Sequence, residues 1–195
     1  MKKLKSLLLV LISFLLCLFL FFPWDSLQAF VTAKAFKIAA QNGIYASAQS
    51  AKTEGLLDKS FVYNGFVADF PLLQLKLGSL SVNPKLLLSL FGQPEISAEL
   101  GKGSVTLVTK QQLDWNFGSL NIAIDKATVR FSDINLSGRF SAQGFFEVTR
   151  ASGKISRAQL VFTVPEDCES AFEFLSRGAV SGLTKQTSGK WRLVR

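Results

Sequence analysis

From Ser6 to Phe22 the chain carries no charge, and apart from Ser6, Ser13 and Cys17 every residue is Leu, Phe, Val or Ile. No other feature limits the fold so strongly, because such a run must be buried in protein or placed in lipid. With Leu4, Pro23 and Trp24 at its edges it approaches the roughly 20 residues that cross a bilayer as a helix. Lys2, Lys3 and Lys5 precede it, and clustered lysines stay on the cytoplasmic side. The sequence therefore predicts a transmembrane anchor over residues 1–24, with Leu8, Leu11, Phe14, Leu15, Leu18 and Phe21 facing lipid and Trp24 at the interface. A cleaved signal peptide fits less well. Its apolar region spans about 7–15 residues and ends in a small-x-small site, whereas Leu27-Gln28-Ala29 has Leu where a small residue is wanted. A lipoprotein signal fits poorly too, since Leu15-Leu16 precedes Cys17.

The region 25–43 reads as an amphipathic connecting helix. Asp25 or Ser26 would cap it, and Asn42-Gly43 would end it. Leu27, Phe30, Val31, Ile38 and Ala39 share a side, and Lys34 and Lys37 are placed to reach headgroups. That side would pack on the domain or lie on a membrane.

After Gly43 the apolar period becomes two, which is the strand signature. Ile44 to Ala48 and Phe61 to Phe70 are strand-like, and Leu73, Leu75 and Leu77 alternate. Leu80 and Val82 take the opposite parity, so a β-bulge is expected near Gly78. Asn83-Pro84 would open a short helical turn carrying Leu86, Leu87, Leu88, Leu90 and Phe91, closed by Gly92. Further alternating runs are Ile96 to Leu100, Val105 and Leu107, Leu113 to Phe117, Leu120 to Ile124, Ala127 to Phe131, Ile134 to Phe140, Phe146 with Val148, and Leu160 to Val164. Gly101-Lys102-Gly103 would be a hairpin turn. Short strands at this spacing predict an antiparallel meander. Pro165 to Arg177 should be helical, with Cys168, Ala171, Phe172 and Leu175 inward and Glu166, Asp167 and Glu169 in the first turn, favoured by the helix dipole. Trp191 to Arg195 could form a last strand. The expected fold class is thus mainly β: a single N-terminal transmembrane helix, then a curved antiparallel sheet with one or two short helices filling residues 44–195.

The chain has no histidine, which removes the commonest general base and metal ligand. Gly101-Lys102-Gly103-Ser104 is no phosphate loop, because residue 96 is Ile and Gly103 follows the lysine. Cys168 has no histidine to activate it. The net charge of +8 is scattered rather than clustered, which argues against nucleic acid. Trp115, Phe117 and Phe131 read better as core than as a stacking platform. The expectation is a protein that is not an enzyme and uses no metal or cofactor.

The run Ser79-Leu80-Ser81-Val82-Asn83-Pro84-Lys85-Leu86-Leu87-Leu88, then Gly92 and Ile96-Ser97-Ala98-Glu99-Leu100-Gly101-Lys102-Gly103, resembles the type II secretion system protein N family. The opening Phe22-Pro23-Trp24-Asp25 with its amphipathic helix resembles it too. The architecture is more distantly similar to AsmA-like envelope proteins, whose bent sheets form an apolar groove. The resemblance implies an inner-membrane component with its body in the periplasm, working with secretion-system or other envelope proteins, or a relative that handles lipid. Two expectations follow. The sheet docks partners through free edge strands. Alternatively, a concave face lined by Leu120, Ile122, Ile124, Val129, Phe131 and Phe162 holds acyl chains.

Overall fold

The computed structural model describes residues 9–14, 17, 19–55, 59–71, 73–85, 95–107 and 109–195. Its body is one 13-stranded antiparallel sheet. In chain order come helix α1 (Trp24–Gln41) and strands β1 (Tyr45–Ser47), β2 (Ser50–Glu54), β3 (Ser60–Phe70), β4 (Leu73–Pro84), β5 (Glu95–Leu100), β6 (Gly103–Leu107), β7 (Gln112–Trp115) and β8 (Phe117–Ile124). Then follow β9 (Thr128–Ser137), β10 (Ser141–Thr149), β11 (Ile155–Thr163), a 3-10 turn Glu166–Cys168, α2 (Glu169–Phe174), a π turn Leu175–Ala179, β12 (Leu183–Thr187) and β13 (Lys190–Val194).

Several short strands are halves of longer ones. β5 and β6 both pair with β4 at one offset, Leu80↔Leu100 and Leu77↔Gly103. β8 and β7 continue that pattern, Leu100↔Gly118 and Gly103↔Trp115. β1 and β2 likewise share β3, Ser47↔Val67 and Ser50↔Asn64. The breaks fall on one line across the sheet, through Gln49, Gly65, Gly78, Lys102 and Asn116. Backbone bonds bridge it: Gly78 N–H to Lys102 O at 2.8 Å, Gly101 N–H to Ser79 O at 2.9 Å, and Asn116 N–H to Ser137 O at 2.8 Å.

Along this crease β3, β4, β5–β6 and β7–β8 exchange their inward and outward faces together. On one side Phe66, Leu77, Val105 and Trp115 point inward; on the other, Phe61, Tyr63, Leu80 and Leu100 do. A single strand shifting parity would present its apolar set to solvent or lose its register. Because all shift at one level, pairing stays in step: Asn64↔Ser79 is followed by Phe66↔Leu77 with no residue gained. The parity change near Gly78 is therefore real, but the expected bulge there is not formed. Nor is Gly101-Lys102-Gly103 a hairpin, since β5 runs straight on into β6. Glycine is required because the backbones approach closely. A Cβ on Gly103 would lie 2.6 Å from Leu77 Cδ2, 2.7 Å from Trp115 Cζ2 and 2.9 Å from Lys76 O.

The core lies inside the curl. It joins Leu77, Leu113 and Trp115 to Phe140, Ala142, Leu160, Cys168, Phe172, Leu183, Trp191 and Leu193. Phe172 is the plug, its ring 5.7 Å from those of Phe162 and Trp191 and 6.3 Å from Phe140. Full burial of each such aromatic stabilises the fold by roughly 1.5–3 kcal/mol. The predicted inward set Cys168, Ala171, Phe172 and Leu175 is found as expected, although the helix unwinds through a π turn to Ala179 rather than stopping at Gly178.

The expected single N-terminal transmembrane helix is not supported. Among the described residues no helix is long and apolar enough to cross a membrane. The helical residues 9–14, 17, 19 and 20 stop at a turn at Phe21-Phe22-Pro23, and α1 beyond it carries Asp25, Lys34 and Lys37. A proline lacks the N–H needed to continue a helix from the preceding turn. Of the expected anchor residues, Leu11, Phe14 and Phe21 are exposed, Trp24 opens α1, and Leu8, Leu15 and Leu18 lie outside the described residues. Leu86, Leu87, Leu88, Leu90, Phe91 and Gly92 also lie outside them. Asn83 and Pro84 belong to β4, not to a helical turn, pairing with Ser97 and Ile96. Pro84 is tolerated because β3 has already ended and no partner needs its missing N–H.

α1 turns Gln28, Thr32 and Phe36 toward the sheet, so of the two expectations for its apolar side the packing on the domain is not met through Phe30, Val31 and Ile38. Thr32 Oγ1 lies 2.8 Å from Tyr63 Oη, and the Phe36 and Phe66 rings are 6.2 Å apart. Asp25 does not cap the helix; Oδ1 accepts from Thr53 N–H of β2 at 3.2 Å. Gly103→Ala should lower stability by about 1–3 kcal/mol through overpacking. Gly153→Ala, with positive φ but open space around its Cβ, should cost only about 1–2 kcal/mol. Urea denaturation of both variants checks the difference.

Candidate functional site

Three features of the sheet could act on a partner: the apolar face, the crease and the edges. The register brings most of the expected groove residues together. Ile122 faces Phe131, and Ile124 faces Val129. Phe131 is paired with Phe146, their rings stacked at 4.5 Å. Leu120 precedes Ile122 on the same face of β8. All five are half-buried, and they lie outside the packed core cluster. Phe162 does not join them. It packs on the core between Phe140 and Phe172.

The three aromatics read as core are separated: Trp115 is buried as expected, Phe131 lies with Phe146, and Phe117, 48 % exposed, is not in the core. Asn116 sits on the crease, so Trp115 and Phe117 do not share a face. Lys102 belongs to a trough of about 340 Å³ along the crease, with Gln49, Lys76, Ser104, Gln112 and Asp114 among its walls. Among the described residues no group of Cys, Asp and Glu is placed to hold a metal ion.

The acidic segment has a different task from capping. Asp167 forms an ion pair with Arg139 at 2.9 Å. Glu169 accepts from Lys185 at 2.7 Å, from Ser188, and from the Gly189 N–H. Lys185 also approaches Glu173 at 3.4 Å and lies 5.8 Å from the Trp191 ring. Hydrogen bonding to Lys185, then to Gly189, holds the Glu169 carboxyl below its usual range, and the Glu169 bond raises Lys185. Burial pushes the Cys168 thiol upward, with Asp167 adding to it. A protonated, fully buried thiol suits a core residue rather than a nucleophile.

The edges differ. β1 and β2 lie beside α1. Among the described residues β12 pairs with β13 alone, and after Leu183 every residue of it is exposed. β12 and β2 were not legible in the sequence, because LTKQT and SAKTE show no apolar alternation.

These features define a class: a creased, one-sheet antiparallel scaffold with one continuous apolar face and an uncovered edge. The chain belongs to the family described as type II secretion system protein GspN-like, Synergistales, whose model matches residues 1–195, the whole chain. It is thus a type II secretion component, as the resemblance implied. Searches of the curated proteins and of the solved structures found no match.

A carboxyl held low in the folded state contributes stability above its unfolded pKa and loses it as pH falls through the folded value. Lys185, held high, contributes fully below its unfolded pKa and loses that only as pH rises past the folded value. Native protein should therefore exceed Glu169→Gln in Tm at neutral pH, with the gap closing in acid below about pH 4. Thermal melts of both proteins across acid pH check this.

Proposed function

We propose that the chain is a non-enzymatic part of the secretion apparatus, stationed at the inner membrane with its sheet on the periplasmic side, and acts in protein export by binding other subunits. The observation that carries this reading is the free edge of β12. An exposed strand with ladder partners on one side offers N–H and C=O groups to an extended segment of another protein. The Glu169–Lys185 contact fixes that strand against α2, so the edge is presented without further ordering cost.

A second reading has its own support. Leu120, Ile122, Ile124, Val129 and Phe131 form a half-buried apolar strip outside the packed core, the surface an acyl chain would use.

Affinity purification from solubilised membranes should recover other secretion subunits with the native chain. Gln186→Pro, at the register shift between Lys185 and Thr187, should reduce that recovery while leaving the circular dichroism unchanged. Recovery of this chain alone would end the first reading. Mass spectrometry of gently extracted protein tests the second: co-purifying lipid, lost in Ile122→Asp, is expected if the strip is used, and lipid-free protein rejects it.

A further inference from the structure

The side of α1 that faces away from the sheet carries large apolar side chains interleaved with lysines. Phe30 is 65 % exposed, Ile38 51 % and Val31 42 %, although Gln28, Thr32 and Phe36 occupy the packed side. A helix in contact with water alone would carry the reverse pattern. Lys34 and Lys37 lie among these residues, with no acidic partner among the described residues and no Asp or Glu between Thr32 and Gln41. The chain leading into α1 exposes apolar residues too, with Leu9, Val10, Leu11, Ile12 and Phe14 at 53–70 % exposure and Phe21 at 85 %.

A patch of this extent marks an interaction site. Its chemistry selects the partner. Protein interfaces exclude lysine from their apolar centres, whereas a lipid surface takes apolar side chains below the phosphates and lysines beside them. The lysine stems reach outward along the apolar surface to the charged layer.

From this we infer that α1 lies flat on an anionic phospholipid surface, Phe30, Val31 and Ile38 sunk among the acyl chains and Lys34 and Lys37 on the headgroup phosphates. The helix lies in the plane and crosses nothing. One flank holds the lipid while the other holds β2 and β3, so the sheet stands directly on the membrane. This deepens the inner-membrane part of the proposed function.

The test uses the full chain, exchanged from detergent into vesicles of phosphatidylcholine with or without phosphatidylglycerol. Flotation should be stronger with phosphatidylglycerol. Lys34→Ala/Lys37→Ala should weaken that binding about fivefold per lysine removed, with no loss on phosphatidylcholine. To separate α1 from residues 9–22, a polarity-sensitive dye is placed at Ile38→Cys in a Cys17→Ser chain, Cys168 being buried. The dye should shift to the blue on vesicles and be quenched by lipids brominated near the headgroup. A dye that stays in water while the protein floats overturns the inference, as does binding indifferent to lipid charge. Gln186→Pro should float normally, so failure of subunit binding and failure of lipid binding are read separately.

Discussion

The sheet depends on one constraint: neighbouring strands must change face at the same level or not at all. Backbone pairing is fixed by register, and side-chain direction is fixed by position along the strand. The crease satisfies both, because β3, β4, β5–β6 and β7–β8 exchange faces along one transverse line. The apolar face thereby continues from Phe61 and Leu80 on one side to Leu77 and Trp115 on the other. Without that continuity Leu77 and Trp115 would have no access to Phe172 and Trp191, and the curl would lose its interior.

The C-terminal segment closes the curl. Residues 164–182 leave β11, pass over the apolar face and return as the β12–β13 hairpin, with β13 set against β11. Cys168 and Phe172 fill the space, while Gln111, Arg139 and Lys185 tie the segment to three separate parts of the sheet. The charged residues at its start thus serve tertiary contacts, and the local dipole argument explains less of their placement than the partners do.

Much of the meander was legible because half-buried strands must alternate. The parity change at Gly78 was legible too, but one strand read alone indicates a bulge. Only the partners' glycines and Asn116 at the same level show a crease. For α1 the sequence left its apolar side open between the domain and a membrane; the domain is met instead through Gln28 and Thr32, whose hydroxyl and amide contacts do not register as hydrophobic periodicity. The N-terminal run was read by composition and length, which do not reveal the turn at Phe21-Phe22-Pro23. Five of the six expected groove residues fall on one strip, and Phe162 belongs to the core because α2 covers its end of the sheet.

Strand order has a consequence for how the molecule assembles. Counting β1–β2, β5–β6 and β7–β8 as single long strands, each new strand up to β11 lies beside the one before it, so a chain emerging N-terminus first can add ribbons successively with short loop closures. The final hairpin breaks this order, because β13 must be made before β12 has anything to pair with. Within these residues the ladder therefore ends on β12, a strand made before the one it pairs with.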